Sequence, residues 1–118
     1  MRVLVCGGRQ FADRARLEAT LDRLHAVHGF SLLIEGDAIG ADRMAGDWAE
    51  SRGVAHRVFR ADWDGLGGKA GPIRNQQMLE EGRPDLVVAF PGRRGTAHMT
   101  RIAREAGVEV VEVPAGTD

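Results

Sequence analysis

Three arginines stand beside glycine-containing turns, and this placement suits the binding of a phosphate group. Arg9 follows a glycine pair, Arg74 comes three residues after Gly71, and Arg93 follows Gly92. A guanidinium can hold phosphate oxygens through two parallel hydrogen bonds, and glycine lets the backbone approach a ligand closely. The alternative for each arginine is an ordinary solvated surface position. The sequence therefore predicts a phosphate site only if these turns meet in the fold.

Three polar side chains near the same turns could contact the parts of such a ligand other than its phosphate. Asp42 falls in the first turn of a predicted helix, where a carboxylate either contacts a ribose or stabilises the helix dipole. Asn75 and Thr96 could equally contact the ligand or cap a helix. The predicted ligand-binding residues are Gly7, Gly8, Arg9, Gly36, Asp37, Gly40, Ala41, Asp42, Arg74, Asn75, Pro91, Gly92, Arg93, Gly95 and Thr96.

Short apolar runs alternate with helical patterns along the chain, and these elements would have to position the candidate residues. Strands are predicted at 3–6, 32–34, 56–59, 86–90 and 108–113, and helices after Asp13, after Gly40, from about Pro72 and after Thr96. Residues 61–71 show no regular pattern and are predicted to form a lid or binding loop. The helix patterns place Trp48 and Met99 in the core, whereas Trp63 could stack on a base or pack within its loop.

This alternation predicts a single Rossmann-like α/β domain with three layers, a mostly parallel sheet of about five strands covered by helices on both faces. The domain is predicted to span residues 1–114, with 115–118 as a tail. In such sheets the strand-to-helix loops share the carboxyl edge, and ligands bind where the strand order reverses. We therefore expect the helix amino-termini after Gly40 and Gly95 to bind phosphates.

Composition and missing motifs restrict the function further. A net charge of −1 and an aromatic content of 5% argue against a nucleic-acid-binding groove. Neither a Walker phosphate loop nor a dinucleotide fingerprint occurs, and the pair His25 and His28 is a poor metal pattern, so no metal and no cofactor are predicted. The single cysteine, Cys6, is expected to be inert. With no leader or apolar span, we expect a cytoplasmic protein with no membrane partner.

Several motifs resemble the SLOG superfamily. Residues 91–96, PGRRGT, are similar to an element of the LOG proteins, which split nucleoside monophosphates, and Arg74, Asn75 and Met78 resemble that family's R-K-x-x-M stretch. The segment from Gly36 to Ala45 resembles an element of the DNA-processing protein A family. Nearly the whole chain resembles the small YspA-like group, through GGR with Phe11 near the start, GAD at 40–42, ADW at 61–63, AGPIRN at 70–75 and PGRRGTA at 91–97.

The resemblance implies a Rossmann-like domain that senses or processes a small nucleotide-derived ligand, and it makes a homodimer possible. One position departs from the LOG pattern, because Met99 stands where those enzymes carry a catalytic glutamate. A thioether cannot activate water as a carboxylate can, so ligand binding is the favoured function. A nucleotide N-glycosidase would need Glu35, Asp37 or Asp42 as a replacement. Binding of single-stranded DNA, as in the DNA-processing relatives, is the third hypothesis.

Overall fold

The computed structural model describes residues 1–116, so part of the predicted tail lies outside the described residues. The strands are β1 (Arg2–Cys6), β2 (Leu32–Glu35), β3 (Ala55–Val58), β4 (Leu86–Ala89) and β5 (Glu109–Glu112). They pair in parallel throughout, in the order β3-β2-β1-β4-β5. The predicted α/β fold with a parallel sheet of five strands is therefore confirmed.

Helices cover both faces of this sheet. They are α1 (Arg14–His28), α2 (Ala41–Arg52), α3 (Trp63–Leu66), α4 (Ala70–Gly82) and α5 (Arg94–Glu105), with a 3-10 turn at Gly67–Lys69. The side chain of Asp13 accepts a hydrogen bond from the backbone N–H of Arg16 at the start of α1, and Gly29 ends that helix in the left-handed conformation. Sequence signals for a helix start and stop thus act here as expected.

Two apolar clusters fill the space between the layers, because successive side chains of a buried strand point to opposite faces. Val3 and Val5 of β1 join a cluster with Leu21 of α1 and Trp48 of α2. On the other face, Leu4 joins Met78 of α4 and Met99 of α5. Trp48 is 1% exposed and Met99 is 0% exposed, which confirms the core positions predicted for both.

The stretch 61–71 differs most from its prediction. It contains α3 and the 3-10 turn instead of an irregular loop, because Asp62 caps α3 by accepting a hydrogen bond from the backbone N–H of Gly65. Helix α4 then begins at Ala70, which leaves Pro72 in its first turn, where proline removes no intrahelical hydrogen bond.

The strand order places a topological switch point between β1 and β4, the two central neighbours. From β1 the chain proceeds to β2 and β3 on one side, and it later fills β4 and β5 on the other. Two strand-to-helix connections therefore leave the sheet in opposite directions from adjacent strand ends, and a crevice opens between them. No helix among residues 1–116 has the length and apolar character needed to cross a bilayer.

Candidate functional site

A cleft of about 840 Å³ occupies this switch point, between the loops that follow β1 and β4. The two loops touch: the backbone N–H of Gly8 donates a hydrogen bond of 2.9 Å to the carbonyl of Pro91. A Cβ at Gly8 would lie 3.0 Å from the Cα of Gly92, and a Cβ at Gly92 would lie 2.8 Å from the N of Gly8. Both glycines are required because the two backbones approach more closely than side chains would allow.

The amino-terminus of α5 forms one wall of the cleft and carries no side-chain cap. Arg93 is its N-cap residue and makes no capping hydrogen bond. Around Gly95 in the first turn the space is open, and the hydroxyl of Thr96 faces Gly92. Because the first N–H groups of a helix lack intrahelical acceptors, this end presents donors and a partial positive charge to the cleft.

Arg74 reaches the opposite wall from α4 and is half-buried. Its Nη1 donates a hydrogen bond of 2.5 Å to the carbonyl of Gly36, and its Nε donates one of 3.1 Å to Oδ1 of Asn75. Burial lowers the pKa of Arg74, while the neighbouring carboxylate of Asp42 raises it. The guanidinium is thus held in a fixed orientation with its charge facing the cleft.

Asn75 is buried at 4% exposure and connects the two helices that wall the cleft. Its Nδ2 donates to the carbonyl of Gly95 and lies 3.1 Å from Nδ1 of His98. It stands in the middle of the first half of α4, so the capping interpretation of this residue is wrong. Its amide groups are occupied by protein partners, and its role is to position Arg74 and the start of α5.

Asp42 is the acidic residue of the cleft and is 6% exposed. Its Oδ2 accepts a hydrogen bond of 3.3 Å from the backbone N–H of Ala38. Burial raises the pKa of Asp42 to about 7, against the lowering effects of this hydrogen bond and of the Arg74 charge. A carboxyl with this pKa near neutrality can accept or release a proton in a ligand complex.

Aromatic side chains border the mouth of the cleft. The guanidinium of Arg9 lies over the ring of Trp63, 5.5 Å from its centroid, and Trp63 remains 46% exposed. Phe11 also lines the cleft and packs against Phe90 with ring centroids 5.2 Å apart. Trp63 therefore offers an accessible aromatic face beside a cation, and Phe11 anchors the β1 loop to the core.

A smaller cavity of about 280 Å³ adjoins the cleft, and we call it the side pocket. It shares Arg9, Ala38, Trp63 and Arg74 with the cleft. Its remaining walls include Asp37, which adopts a left-handed backbone conformation with φ of 61°.

The structure brings most of the predicted ligand-binding residues to the cleft, and the remainder lie elsewhere. The residues on the cleft are Gly7, Gly8, Arg9, Asp42, Arg74, Asn75, Pro91, Gly92, Arg93, Gly95 and Thr96. Gly36 and Asp37 line the side pocket instead. Gly40 and Ala41 lie behind the β1 loop: the N–H of Ala41 faces the carbonyl of Gly8 at 3.4 Å. The amino-terminus of α2 is therefore filled by protein backbone, contrary to the expectation that it binds phosphate.

Among the cleft residues outside the predicted set, two carry basic side chains. Arg94 and His98 both line the cleft from α5. They stand four residues apart, so they share a helix face that is distinct from the buried face of Met99. The spacing of four residues is the sequence signal for these two positions, because it places them on the polar face opposite the apolar stripe of α5. Partial burial and the charge of Arg101 lower the pKa of His98.

Other candidate groups fall outside the cleft or are inert. Glu35 is 2% exposed, and its Oε2 lies 3.0 Å from Nε2 of His56, on neither cavity. Burial raises the pKa of Glu35, against its hydrogen bonds from Asp37 and His56. Cys6 borders the cleft, and burial raises the pKa of its thiol well above the usual range, which disfavours a reactive thiolate. Among residues 1–116 there is no cluster of side chains that could hold a metal ion.

The strand order and the open switch-point cleft define a Rossmann-like α/β domain. A search of solved structures supports this fold: the X-ray structure of DNA processing protein A from Streptococcus pneumoniae matches with a TM-score of 0.79 at 18% identity. The match covers 98% of this chain and 50% of that protein, so the chain spans about half of its length.

Sequence comparison then identifies the family. The chain belongs to the YspA, cpYpsA-related SLOG family, whose family model matches residues 1–65. It is also similar to the Gene 61 protein of Mycobacterium phage D29, with 40% identity over an alignment of 118 positions that covers 93% of this chain and 94% of that protein. The SLOG resemblance found in the motifs is therefore confirmed.

Proposed function

We propose that this chain is a binding module for a small nucleotide-like ligand, whose phosphate lies at the amino-terminus of α5. The main observation in favour of this proposal is that the uncapped helix end faces the same cleft as the half-buried guanidinium of Arg74. Helix N–H donors and an arginine together form a site for an anion, since each favours negative charge through hydrogen bonds and electrostatics.

The charges of the cleft support an anionic ligand. Arg9, Arg74, Arg93 and Arg94 line it, and Asp42 is its acidic member among the described residues. The protein as a whole carries a net charge of −1, so this surplus of guanidinium groups is local. A local positive cleft in a nearly neutral protein selects small anions and offers little attraction for a long nucleic acid.

The remaining parts of a nucleotide have matching groups. The carboxyl group of Asp42 can bond a ribose hydroxyl as a donor or an acceptor, according to its protonation. The exposed ring of Trp63 provides a face on which a base can stack. Both residues line the same cleft as the uncapped end of α5, so one mononucleotide could contact phosphate, sugar and base sites together.

Thermal unfolding with and without ligand tests this proposal. The 5′-monophosphates and 5′-diphosphates of the common nucleosides are screened, together with dinucleotides. A bound ligand at one hundred times its Kd should stabilise the protein by about 2.7 kcal/mol. Arg74→Ala should abolish the shift, whereas Arg101→Ala, which removes an exposed arginine paired with Glu105 and absent from the cleft lining, should retain it. The proposal fails if no nucleotide raises the melting temperature of the wild-type protein.

A nucleotide N-glycosidase is the second candidate function. The position of the Asp42 carboxyl group in the cleft favours it. Of the three carboxylates considered as replacements for the missing glutamate, Asp42 alone lines the cleft; Glu35 bonds to His56, and Asp37 lies in the side pocket. A buried carboxyl with a pKa of about 7 is suited to general acid or base catalysis. Release of free base from a nucleoside monophosphate, lost in Asp42→Asn, would establish this activity.

Binding of single-stranded DNA is a weaker candidate, suggested by the structural similarity to DNA processing protein A from Streptococcus pneumoniae. The local cleft is enclosed by helices on two walls, and the aromatic content of 5% provides few stacking platforms. Oligonucleotide affinity that falls steeply with salt would favour this function over the small-ligand proposal.

A further inference from the structure

The side pocket carries more positive charge than its own acidic group can balance. Arg9, Arg43, Arg60 and Arg74 line it, and Asp37 is the only carboxylate among its described lining residues. Oδ1 of Asp37 lies 3.5 Å from Nε of Arg43, and Oδ2 lies 3.0 Å from Nε of Arg60. Two guanidinium groups therefore share one carboxylate, while two more approach from the cleft.

The loop after β2 is built to hold these groups in place. The backbone N–H of Asp37 donates to the buried carboxylate of Glu35, which fixes the turn despite the positive φ of Asp37. A Cβ at Gly36 would collide with the guanidinium of Arg74. Glycine at this position thus allows Arg74 to lie across the loop and to border both cavities.

The side pocket adjoins the proposed ligand site at one boundary. Arg9 and Trp63, stacked with the guanidinium 5.5 Å from the ring centroid, line both cavities. Both residues are exposed, so neither is fixed by burial in the core. An anionic group that crosses this boundary would meet Arg43 and Arg60.

We propose that the side pocket binds a second phosphate of the same ligand, so that the ligand class is a nucleotide with two phosphates instead of a nucleoside monophosphate. This inference rests on the proposed function of the cleft. The second phosphate takes the place of Asp37 as the partner of Arg43 and Arg60, because a terminal phosphate, with up to two negative charges and three acceptor oxygens, satisfies two guanidinium groups better than one carboxylate.

Calorimetric titration of the full chain tests the proposal with defined probes. The ligands are the 5′-monophosphate, the 5′-diphosphate and the 3′,5′-bisphosphate of each common nucleoside, and adenosine diphosphate ribose. We expect at least one compound with two phosphates to bind about tenfold more tightly than its monophosphate. The diphosphate and the bisphosphate distinguish a linked second phosphate from a separate one.

Variants then assign this preference to the side pocket. Arg43→Ala and Arg60→Ala should each remove most of the preference and leave the affinity for the monophosphate unchanged, since both residues line the side pocket and not the cleft. Arg101→Ala removes the same charge elsewhere and should change neither affinity. Circular dichroism and thermal unfolding without ligand confirm that each variant is folded.

A variant with the opposite expected effect completes the test. Asp37→Asn removes the competing carboxylate, and asparagine tolerates the left-handed backbone at this position. It should raise the affinity for the compound with two phosphates several-fold and leave that for the monophosphate unchanged. Equal affinities for all nucleotides, or a preference that survives both arginine variants, would overturn the side-pocket inference alone. Failure of every nucleotide to bind would overturn the proposed function as well.

Discussion

The amino-termini of α2 and α5 follow parallel strands of the same sheet, yet they differ in what they contact. At α2, a Cβ on the N-cap residue Gly40 would meet the carbonyl oxygens of Gly8 and Arg9, so the β1 loop closes this end. At α5, the space around Gly95 is open and the end faces the cleft. Neither helix has a side-chain cap.

The two helices also contribute different groups to the cleft. The closed helix α2 supplies the buried carboxyl of the cleft, Asp42, from its first turn. The open helix α5 presents an uncapped amino-terminus to the cleft, but at Met99 it has a fully buried thioether. A glycine turn before a helix is thus a phosphate site only where the neighbouring loop leaves the helix end free, and that depends on tertiary packing.

The largest effect is expected from Met99→Glu, which places the glutamate of the LOG pattern in α5. Met99 is 0% exposed within the core cluster that includes Leu4 and Met78. An unpaired carboxylate there should lower the free energy of unfolding by about 3–5 kcal/mol. Met99→Leu, which conserves volume, should cost less than about 1.5 kcal/mol. Urea titration measures both, and a stable Met99→Glu protein with a new N-glycosidase activity would contradict the core assignment.

A matched glycine pair tests the difference between the two helix ends directly. Gly40 has φ of 95° and its Cβ would meet two carbonyl oxygens, so Gly40→Ala should destabilise the fold by about 2–3 kcal/mol. Gly95→Ala enters open space within a helix and should be neutral or stabilise by up to about 1 kcal/mol. Both values come from denaturant unfolding monitored by circular dichroism. Equal losses at the two positions would show that both ends are closed.

This contrast also shows how far the sequence could go. Apolar runs and glycine stops were sufficient for the parallel sheet, since local patterns repeat in every strand and helix unit. They were sufficient for the general place of the cleft, because parallel strands send their loops to one edge. These patterns could not show that the helix end at Gly40 is closed and the one at Gly95 is open. The difference depends on the carbonyl oxygen of Gly8, which is distant in sequence from Gly40. The side pocket was not predicted for the same reason, because Arg43 and Arg60 come together at Asp37 only in the folded chain.

Asp42 gives a prediction on pH dependence. Burial raises its pKa from about 3.8 in the unfolded chain to about 7 in the folded protein, so the folded state binds more protons between these values. The free energy of unfolding should therefore fall as the pH rises from about 4 to about 7. Asp42→Asn should remove the share of this fall that Asp42 contributes. Because Glu35 titrates in both proteins, the difference between their denaturation curves isolates Asp42. Parallel pH profiles would contradict the raised pKa.

The smallest effect is expected at Arg93, the N-cap residue of α5. Its side chain is exposed at the mouth of the cleft, so solvent screens its charge. Arg93→Gly should weaken nucleotide binding about two- to threefold, and Arg93→Lys should restore it if charge is the cause. A gain in affinity in Arg93→Gly would instead mean that the side chain obstructs the approach to α5. In either case the effect should lie well below that of Arg74→Ala, because Arg74 is half-buried and fixed by two hydrogen bonds whereas Arg93 is exposed.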